Sequence, residues 1–214
     1  MERVTFYVDG FNFYYGLKRI KQADNDWNKF YWIDFVKLFD HFLLDNQILQ
    51  KVYYFTTPPI SVLKSNRQSI LLDVNKALNG DRFEVIKGKF YEKNTLCPAC
   101  NATIKQIEEK RTDVNISVQM MGDCTGKDTD VIVLVSADSD LVPPLEYIKK
   151  KHPGIKIRVF FPPKSFSYDL RTFMNGKILR LEKNKVRFFN SIMPETVTID
   201  GKMYTIPEKW GGMK

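Results

Sequence analysis

The stretch Val131–Asp140, VIVLVSADSD, places two carboxylates directly after an apolar run rich in β-branched residues. Such a run is typical of a strand buried inside a parallel sheet. Asp138 or Asp140 is accounted for if it caps the helix expected to start at Pro143, but a single cap explains only one of them. Because the pair crowds negative charge where water is scarce, we expect a cation nearby.

Outward from this stretch, apolar strands alternate with amphipathic helices along most of the chain. Further strands are predicted at 3–8, 51–57, 83–91 and 155–161, and helices at 33–44, 61–78, 113–121, 143–152 and 167–175, with another helix opening after residue 10. Residues 92–111 are expected to be irregular, and a turn at Asp200–Gly201 predicts a terminal hairpin. The alternation predicts an α/β fold with a mostly parallel sheet and helices on both faces.

Composition and charge favour a globular protein with an anionic partner. The chain has 214 residues, 43% of them hydrophobic, and a net charge of +8. The segment Lys149–Arg187 contains twelve Lys or Arg residues and only two acidic residues, Asp169 and Glu182. Because of this excess of positive charge, nucleic acid is the partner we expect. No run approaches the ~20 apolar residues that span a membrane. Three cysteines favour a reducing compartment, and the cytoplasm is the expected location.

Acidic residues follow the predicted strands at one end. Asp9 comes directly after the first strand, as Asp138 and Asp140 come after Val131–Ser136. If these strands are parallel, the three carboxylates share one sheet edge, where ligands of open α/β sheets bind. Asp128 and Asp130 precede their strand and are expected at the opposite edge. For Asp9, a tight Asp-Gly turn is an alternative interpretation.

Asp113 opens a predicted helix, where it is either an N-cap or a fourth member of the cluster. Four neighbouring carboxylates repel one another unless a hard cation such as Mg²⁺ or Mn²⁺ lies among them. Cations held in this way are used to hydrolyse phosphodiester bonds. The sequence contains neither a Walker-type GxxxxGK[ST] nor a GxGxxG motif, and no Ser-His-Asp pattern is visible.

Three segments together resemble the motifs of a known family. VTFYVDGFNFYYGL, EEKRTDVNISVQMM and VIVLVSADSDLVPPLEYIKK resemble, in order and spacing, NYN-domain proteins, which are PIN-like ribonucleases, and the chain is similar to their LabA-like (DUF88) branch. The resemblance runs from about Val4 to Phe173. It implies a PIN-like, Rossmann-like three-layer α/β/α sandwich, and Mg²⁺- or Mn²⁺-dependent hydrolysis of RNA.

The resemblance also assigns roles to single residues. It implies that the catalytic and metal-binding carboxylates are Asp9, Asp113, Asp138 and Asp140. It places Asn12 on the family's motif asparagine, where we expect it to hydrogen-bond a metal-bound water or a phosphate. Ser136 precedes the acidic pair and is expected to orient an Asp or contact substrate. Ala137 stands where the family often has Gly.

The basic segment Lys149–Arg187 carries interleaved aromatic residues and is expected to guide a single strand by charge and stacking. Lys164 and Arg171 are the substrate contacts predicted there. We expect residues 1–180 to form the nuclease domain, with a cysteine-containing insertion at about 93–108, and residues 181–214 to form a hairpin extension.

Cys97-Pro-Ala-Cys100 is half of a zinc-ribbon signature. A zinc site, a redox-sensitive pair and two ordinary thiols all fit it, and a dimer could supply further ligands. For the whole protein, the alternative to a nuclease is a non-catalytic nucleic-acid-binding or regulatory module. A phosphatase with an Asp nucleophile fits less well, because DGFN lacks the DxD of such enzymes.

Overall fold

A computed structural model describes residues 1–96 and 98–211. Its centre is a sheet of six parallel strands in the order β3-β2-β1-β6-β7-β8. These strands are β1 (Glu2–Asp9), β2 (Gln47–Thr56), β3 (Phe83–Lys87), β6 (Val131–Val135), β7 (Lys156–Phe161) and β8 (Leu179–Arg180). All six end at the same edge, which we call the carboxyl edge. The chain moves outward from β1 in opposite directions, so the strand order reverses between β1 and β6.

Helices cover both faces of the sheet. One layer contains α1 (Gly10–Ile20), α2 (Phe35–Asp40), α3 (Val62–Asn79) and α7 (Lys185–Phe189), and the other contains α4 (Thr112–Gly126), α5 (Val142–Lys151) and α6 (Tyr168–Phe173). The predicted α/β/α sandwich is confirmed.

Strand alternation assigns side chains to the two cores. On β1, Phe6 and Val8 pack in the α1 layer, whereas Tyr7 packs in the α4 layer. On β6, Val135 packs in the α1 layer and Leu134 in the α4 layer. This period of two explains why the strands are apolar throughout, since each face is covered by helices.

The strand predicted at 83–91 is interrupted at Gly88, and the irregular segment predicted at 92–111 is wrong. The chain leaves the sheet at Gly88, and β4 (Lys89–Leu96) pairs with β5 (Thr103–Lys110) in a separate antiparallel hairpin. A Cβ at Gly88 would lie 2.5 Å from Thr57 Oγ1 and 2.8 Å from Thr112 Oγ1. Only a glycine passes this close to its neighbours without displacing them.

Helical spacing in the predicted helix 113–121 places Val114, Val118 and Met121 on one apolar stripe, and the prediction that this stripe faces the core is wrong. Val114 and Val118 are 63% and 60% exposed, whereas Ile116, Met120 and Cys124 are buried against the sheet. Both sets recur at helical spacing, so periodicity alone did not distinguish the inward face from the outward face.

The C-terminal hairpin predicted around Asp200–Gly201 is confirmed as β9 (Thr196–Ile199) and β10 (Lys202–Thr205). It is followed by the short helix α8 (Glu208–Gly211). Val197 packs into the same core as α1 and α2. Within residues 1–96 and 98–211, no helix is long and apolar enough to cross a bilayer.

Candidate metal centre

Asp9 ends β1 and caps α1. Its Oδ1 accepts a hydrogen bond from the Asn12 backbone N–H at 3.0 Å, and its Oδ2 accepts one from Asn12 Nδ2 at 2.7 Å. Strand alternation turns the side chain toward the α4 layer, the side on which Tyr7 packs. Asp9 is therefore a helix cap and not part of a tight Asp-Gly turn, because Gly10 is the first residue of α1. This cap does not exclude a ligand role, because a carboxylate has about four acceptor positions.

Ser136 links the end of β6 to Asp9. Val8 pairs with Val135, so the next residues of the two strands are neighbours at the carboxyl edge. The Ser136 hydroxyl donates to Asp9 Oδ2 at 2.8 Å and accepts from the Asp138 backbone N–H at 3.1 Å. Ser136 is fully buried, and its hydroxyl holds the Asp9 carboxylate by this hydrogen bond.

Asp138 caps the single 3₁₀ turn Ser139–Leu141. Its Oδ1 accepts from the Asp140 backbone N–H at 3.0 Å. This cap occupies one lone pair and leaves the second carboxylate oxygen of Asp138 available.

Asp113 is the second residue of α4 and does not cap it. The N-cap position belongs to Arg111, whose backbone has φ 81° and whose side chain makes no capping bond. The first turn of α4 therefore brings the Asp113 carboxylate to the carboxyl edge, and the N-cap alternative is wrong.

The three carboxylates of Asp9, Asp113 and Asp138 form one cluster, in which one oxygen of each lies within 4.8 Å of one oxygen of each of the others. Burial, and then the charges of Asp138 and Asp9, raise the pKa of Asp113 to about 6. Burial also raises the pKa of Asp9, although its hydrogen bonds from Asn12 and Ser136 oppose the shift. A helix N-terminus normally favours an anion. At Asp113, burial and the neighbouring carboxylates outweigh this effect of the helix, so the pKa is raised.

The chemistry and spacing of this cluster fit a hard divalent cation. Carboxylate oxygens on one octahedral Mg²⁺ lie about 3–4 Å apart, given metal–oxygen distances of about 2.1 Å. The carboxylate oxygens of the cluster lie within 4.8 Å of one another, which is close to that spacing. Asp113 and Asp138 are half-buried, so the cluster is open to water and to a ligand on one side.

A scan of family models assigns residues 3–179 to the NYN domain. The chain belongs to the NYN domain family. The resemblance seen in the sequence is confirmed at this level, and the match covers the sheet from Arg3 in β1 to Leu179 in β8.

Two relatives extend the comparison. The chain is 27% identical to a Pseudomonas putida protein named 6-hydroxy-3-succinoylpyridine 3-monooxygenase, over 98% of this chain and 76% of that protein. It is also similar to the crystal structure of a protein of unknown function from Vibrio parahaemolyticus. That likeness has a TM-score of 0.54 at 19% identity and covers 84% of this chain and 93% of the other. It supports the fold of the NYN domain.

Two further acids lie around the cluster of the NYN domain. Asp140 is exposed and is not among the three grouped carboxylates, but its charge contributes to the raised pKa of Asp113. Glu109, at the end of β5, contributes more than Asp140 does. Its Oε1 accepts hydrogen bonds from Thr112 and, at 3.1 Å, from Thr57. Glu109 was not predicted, although its position four residues before Asp113 was the available signal.

The predicted substrate-binding residues occupy different positions around the NYN domain's carboxyl edge. Asn12 uses its backbone and side-chain N–H groups on Asp9. Lys164 and Arg171 are exposed, in the loop after β7 and on α6. Both residues belong to the connection between β7 and β8. This connection leaves the sheet at the carboxyl edge, where the carboxylates lie.

Most of the basic segment 149–187 lies elsewhere on the fold. Lys149, Lys150 and Lys151 form the last turn of α5, at the edge opposite the carboxylates. Lys156 pairs with Glu2, and Lys185 with Asp24 at 2.6 Å. Of the aromatic residues interleaved in this segment, Phe160 and Phe161 are core residues, whereas Phe166 and Tyr168 are exposed.

The cysteines are separated in the fold. Cys97 lies outside the described residues, and Cys100 is exposed in the loop of the β4–β5 hairpin. Cys124 lies on α4 and is buried between that helix and the sheet. Asp130 pairs with Arg3 at 3.0 Å, near the start of β1, so it lies at the edge opposite the carboxylate cluster, as the sequence predicted.

Proposed function

We propose that this NYN domain is a metal-dependent nuclease that hydrolyses phosphodiester bonds of RNA. The observation that carries the proposal is the convergence of Asp9, Asp113 and Asp138 at the point where the strand order reverses. Ligands of open α/β sheets bind at this point. The raised pKa of Asp113 supports it, because the cluster accommodates its charges poorly without a cation.

Asp9, Asp113 and Asp138 would hold Mg²⁺ or Mn²⁺, with exposed Asp140 reaching the ion through water. When bound, the divalent cation supplies positive charge for the phosphoryl oxygens and acidifies a water molecule. Ser136 and Asn12 hold Asp9 in one orientation by three hydrogen bonds. Catalytic ligands are commonly held in place by such secondary contacts.

The substrate side of the proposal rests on exposed cations near the cluster. Lys164 and Arg171 would contact the phosphates of a single strand, with Phe166 and Tyr168 available for stacking. Asn12 donates its backbone N–H and one side-chain N–H to Asp9, and its second Nδ2 hydrogen would bond a metal-bound water or a phosphate.

Three finer assignments accompany the proposal. We assign the chain to the LabA-like (DUF88) branch on the strength of its three motif segments. We place residues 1–180 in the nuclease domain, with the insertion at 93–108 and a C-terminal extension from 181, and we propose a cytoplasmic location. Zinc at Cys97 and Cys100 is a separate proposal, which elemental analysis of the purified protein tests.

A nuclease assay with the Asp138→Asn variant tests the function. Single-stranded RNA, structured RNA and DNA would be incubated with the protein in Mn²⁺, in Mg²⁺ and in chelator. Asparagine is as good a helix cap as aspartate, so the turn at 139–141 persists while the charge is lost. We expect metal-dependent RNA cleavage by the wild type and a loss of at least about 100-fold in the variant.

Asp128→Asn is the matched control. It removes an exposed aspartate before β6, at the edge opposite the cluster, and leaves the charge change identical. Full activity in chelator or in Asp138→Asn rejects the mechanism. Metal binding and RNA binding without cleavage would instead favour the non-catalytic module.

The Pseudomonas relative supports a second candidate function, oxygenation of a small hydroxypyridine. The supporting observation is 27% identity over 98% of this chain. The test is incubation with 6-hydroxy-3-succinoylpyridine, O₂ and NADH as the two-electron reductant, followed by mass spectrometry. A product carrying one added oxygen atom supports this candidate, and unchanged substrate eliminates it.

A further inference from the structure

A second site lies beside the carboxylate cluster, in a cavity of about 320 Å³ between α1 and α3. Its wall is largely aromatic. The rings come from α1, the 3₁₀ segment Asn25–Tyr31, β2, β4 and α8: Phe11, Tyr14, Tyr31, Tyr54, Phe90 and Trp210. Cavities of this size and character typically bind one small planar group.

The cavity adjoins the cluster through Gly10 and Tyr54. Gly10 directly follows Asp9 and lines the cavity. A Cβ there would lie 2.6 Å from Tyr54 Cε1 and 2.7 Å from the Phe55 carbonyl, so the missing side chain allows the Tyr54 ring to lie against α1. Tyr54 is also close enough to feel the charge of Asp9. The cavity therefore lies close to the carboxylate cluster.

The charges around the cavity are all positive. Lys18, Lys64 and Arg67 line it, and no Asp or Glu does so among the described residues. Arg67 is half-buried, and its guanidinium makes no hydrogen bond or ion pair with the residues that the structure describes. A ligand that matches this lining combines an aromatic ring with an anionic group.

The Tyr54 hydroxyl is an additional recognition group. Tyr54 is only 5% exposed and lines the cavity. No hydrogen bond among the described residues involves its hydroxyl. Burial, and then the charge of Asp9, raise the pKa of Tyr54, so the phenol stays protonated and is available as a donor. Because Tyr54 lines the cavity, its hydroxyl can donate to an acceptor on a ligand bound there.

We propose that this cavity binds one base of a single-stranded nucleic acid, with an adjoining phosphate held by Lys64 and Arg67. The inference rests on the proposed nuclease function, for which it names a base-binding subsite next to the metal centre. A nucleotide provides the required aromatic ring and anion. The strand that carries it would continue from the cavity to the carboxylates, because Gly10 and Asp9 are consecutive.

Photo-crosslinking tests the proposal independently of cleavage. Short single-stranded RNA containing 5-iodouridine would be irradiated with the protein in chelator, and crosslinked peptides would be mapped by mass spectrometry. We expect crosslinks at Tyr14, Tyr54 or Trp210. Affinity would be measured in parallel by fluorescence anisotropy. We expect Arg67→Gln to weaken binding about 10-fold and Tyr54→Phe about 3- to 10-fold.

Lys151→Gln is the matched control, since it removes an exposed cation from the end of α5, at the opposite edge. Arg67 is half-buried at the cavity, so its substitution tests the site even if Tyr54→Phe perturbs folding. Crosslinks confined to other surfaces, or equal affinities for Arg67→Gln and Lys151→Gln, overturn the proposal. A small aromatic anion such as nicotinate serves as a competing probe. If nicotinate binds in the cavity and RNA does not displace it, the proposal of a base-binding subsite is also overturned.

The outcomes separate this subsite from the nuclease function. If RNA crosslinks to the cavity but the protein does not cleave RNA, the base-binding subsite is supported and the nuclease function is rejected. Cleavage that requires Asp138, without pocket crosslinks, retains the nuclease and rejects the subsite.

Discussion

Replacing Asp113 with asparagine should stabilise the metal-free protein. The pKa of this carboxyl is raised from 3.8 to about 6, mainly by burial and then by the charges of Asp138 and Asp9. Ionising Asp113 is therefore unfavourable in the folded chain at neutral pH. Asparagine has the same shape and carries no charge. The carboxylate of Asp113 makes no hydrogen bond among the described residues, so none is lost.

The size of the effect follows from the shift. A change of roughly two pKa units corresponds to about 3 kcal/mol at ~1.4 kcal/mol per unit. Asp113 is only half-buried, and solvent screening reduces the figure to about 1.5 kcal/mol. The dipole of α4 favours a negative charge in its first turn by about 0.3–1 kcal/mol, which opposes the gain. We therefore expect the free energy of unfolding to rise by about 1 kcal/mol.

The pH dependence has a defined sign. A carboxyl whose pKa is higher in the folded state binds its proton more tightly there, so its stabilising contribution is full below pH 3.8 and is lost by about pH 6. The advantage of Asp113→Asn should therefore be largest at pH 7.5 and shrink toward pH 4. Urea denaturation in chelator at several pH values measures it, with Asp128→Asn as the control.

Adding Mn²⁺ should reverse the order of stabilities. An ion that binds only the folded wild type stabilises it by about 2.7 kcal/mol at 100 times its Kd, which exceeds the gain from removing the charge. The wild type should then be more stable than Asp113→Asn. If the variant is less stable in chelator at pH 7.5, or if Mn²⁺ stabilises both proteins equally, the reasoning about the cluster is wrong.

Three further predictions concern the support of the site, its substrate and the core. Ser136→Ala should lower the free energy of unfolding by about 1–3 kcal/mol, measured by urea denaturation, because it removes a buried donor to Asp9. Lys164→Gln combined with Arg171→Gln should reduce the slope of log affinity for single-stranded RNA against log salt concentration by about 1.4, and an unchanged slope would show that neither residue contacts phosphate. Asn75→Leu should cost about 2–3 kcal/mol by thermal unfolding, because Asn75 is fully buried and bonds three backbone groups, whereas a neutral result would contradict this account.

Elements whose pattern has one physical solution were predictable. The apolar strands at 3–8 and 131–136 are buried on both faces, so their composition identifies them without knowledge of their neighbours. Placing Asp128 and Asp130 at the opposite edge from Asp138 needed only the direction of the strand. The terminal hairpin followed from its Asp-Gly turn.

Elements that depend on distant partners were not predictable. The β4–β5 hairpin is polar and partly exposed, so its strands have little apolar signal to identify them. On α4, valines on one stripe compete with Ile116 and Met120 on another, and only the sheet beneath the helix selects the inward face.

The sequence by itself determined which residue types are available for a metal centre and on which side of the sheet they lie. Strand direction and apolar composition are local properties, and they constrain Asp9 and Asp138 to one edge. Only the tertiary structure decided that Asp113 joins them while Asp140 stays exposed, and that Glu109 borders the group. It also decided that Lys156 and Lys185 form ion pairs with nearby acidic residues. The physical reason is that carboxylate spacing, burial and charge pairing depend on distances between segments far apart in the chain, which no local pattern encodes.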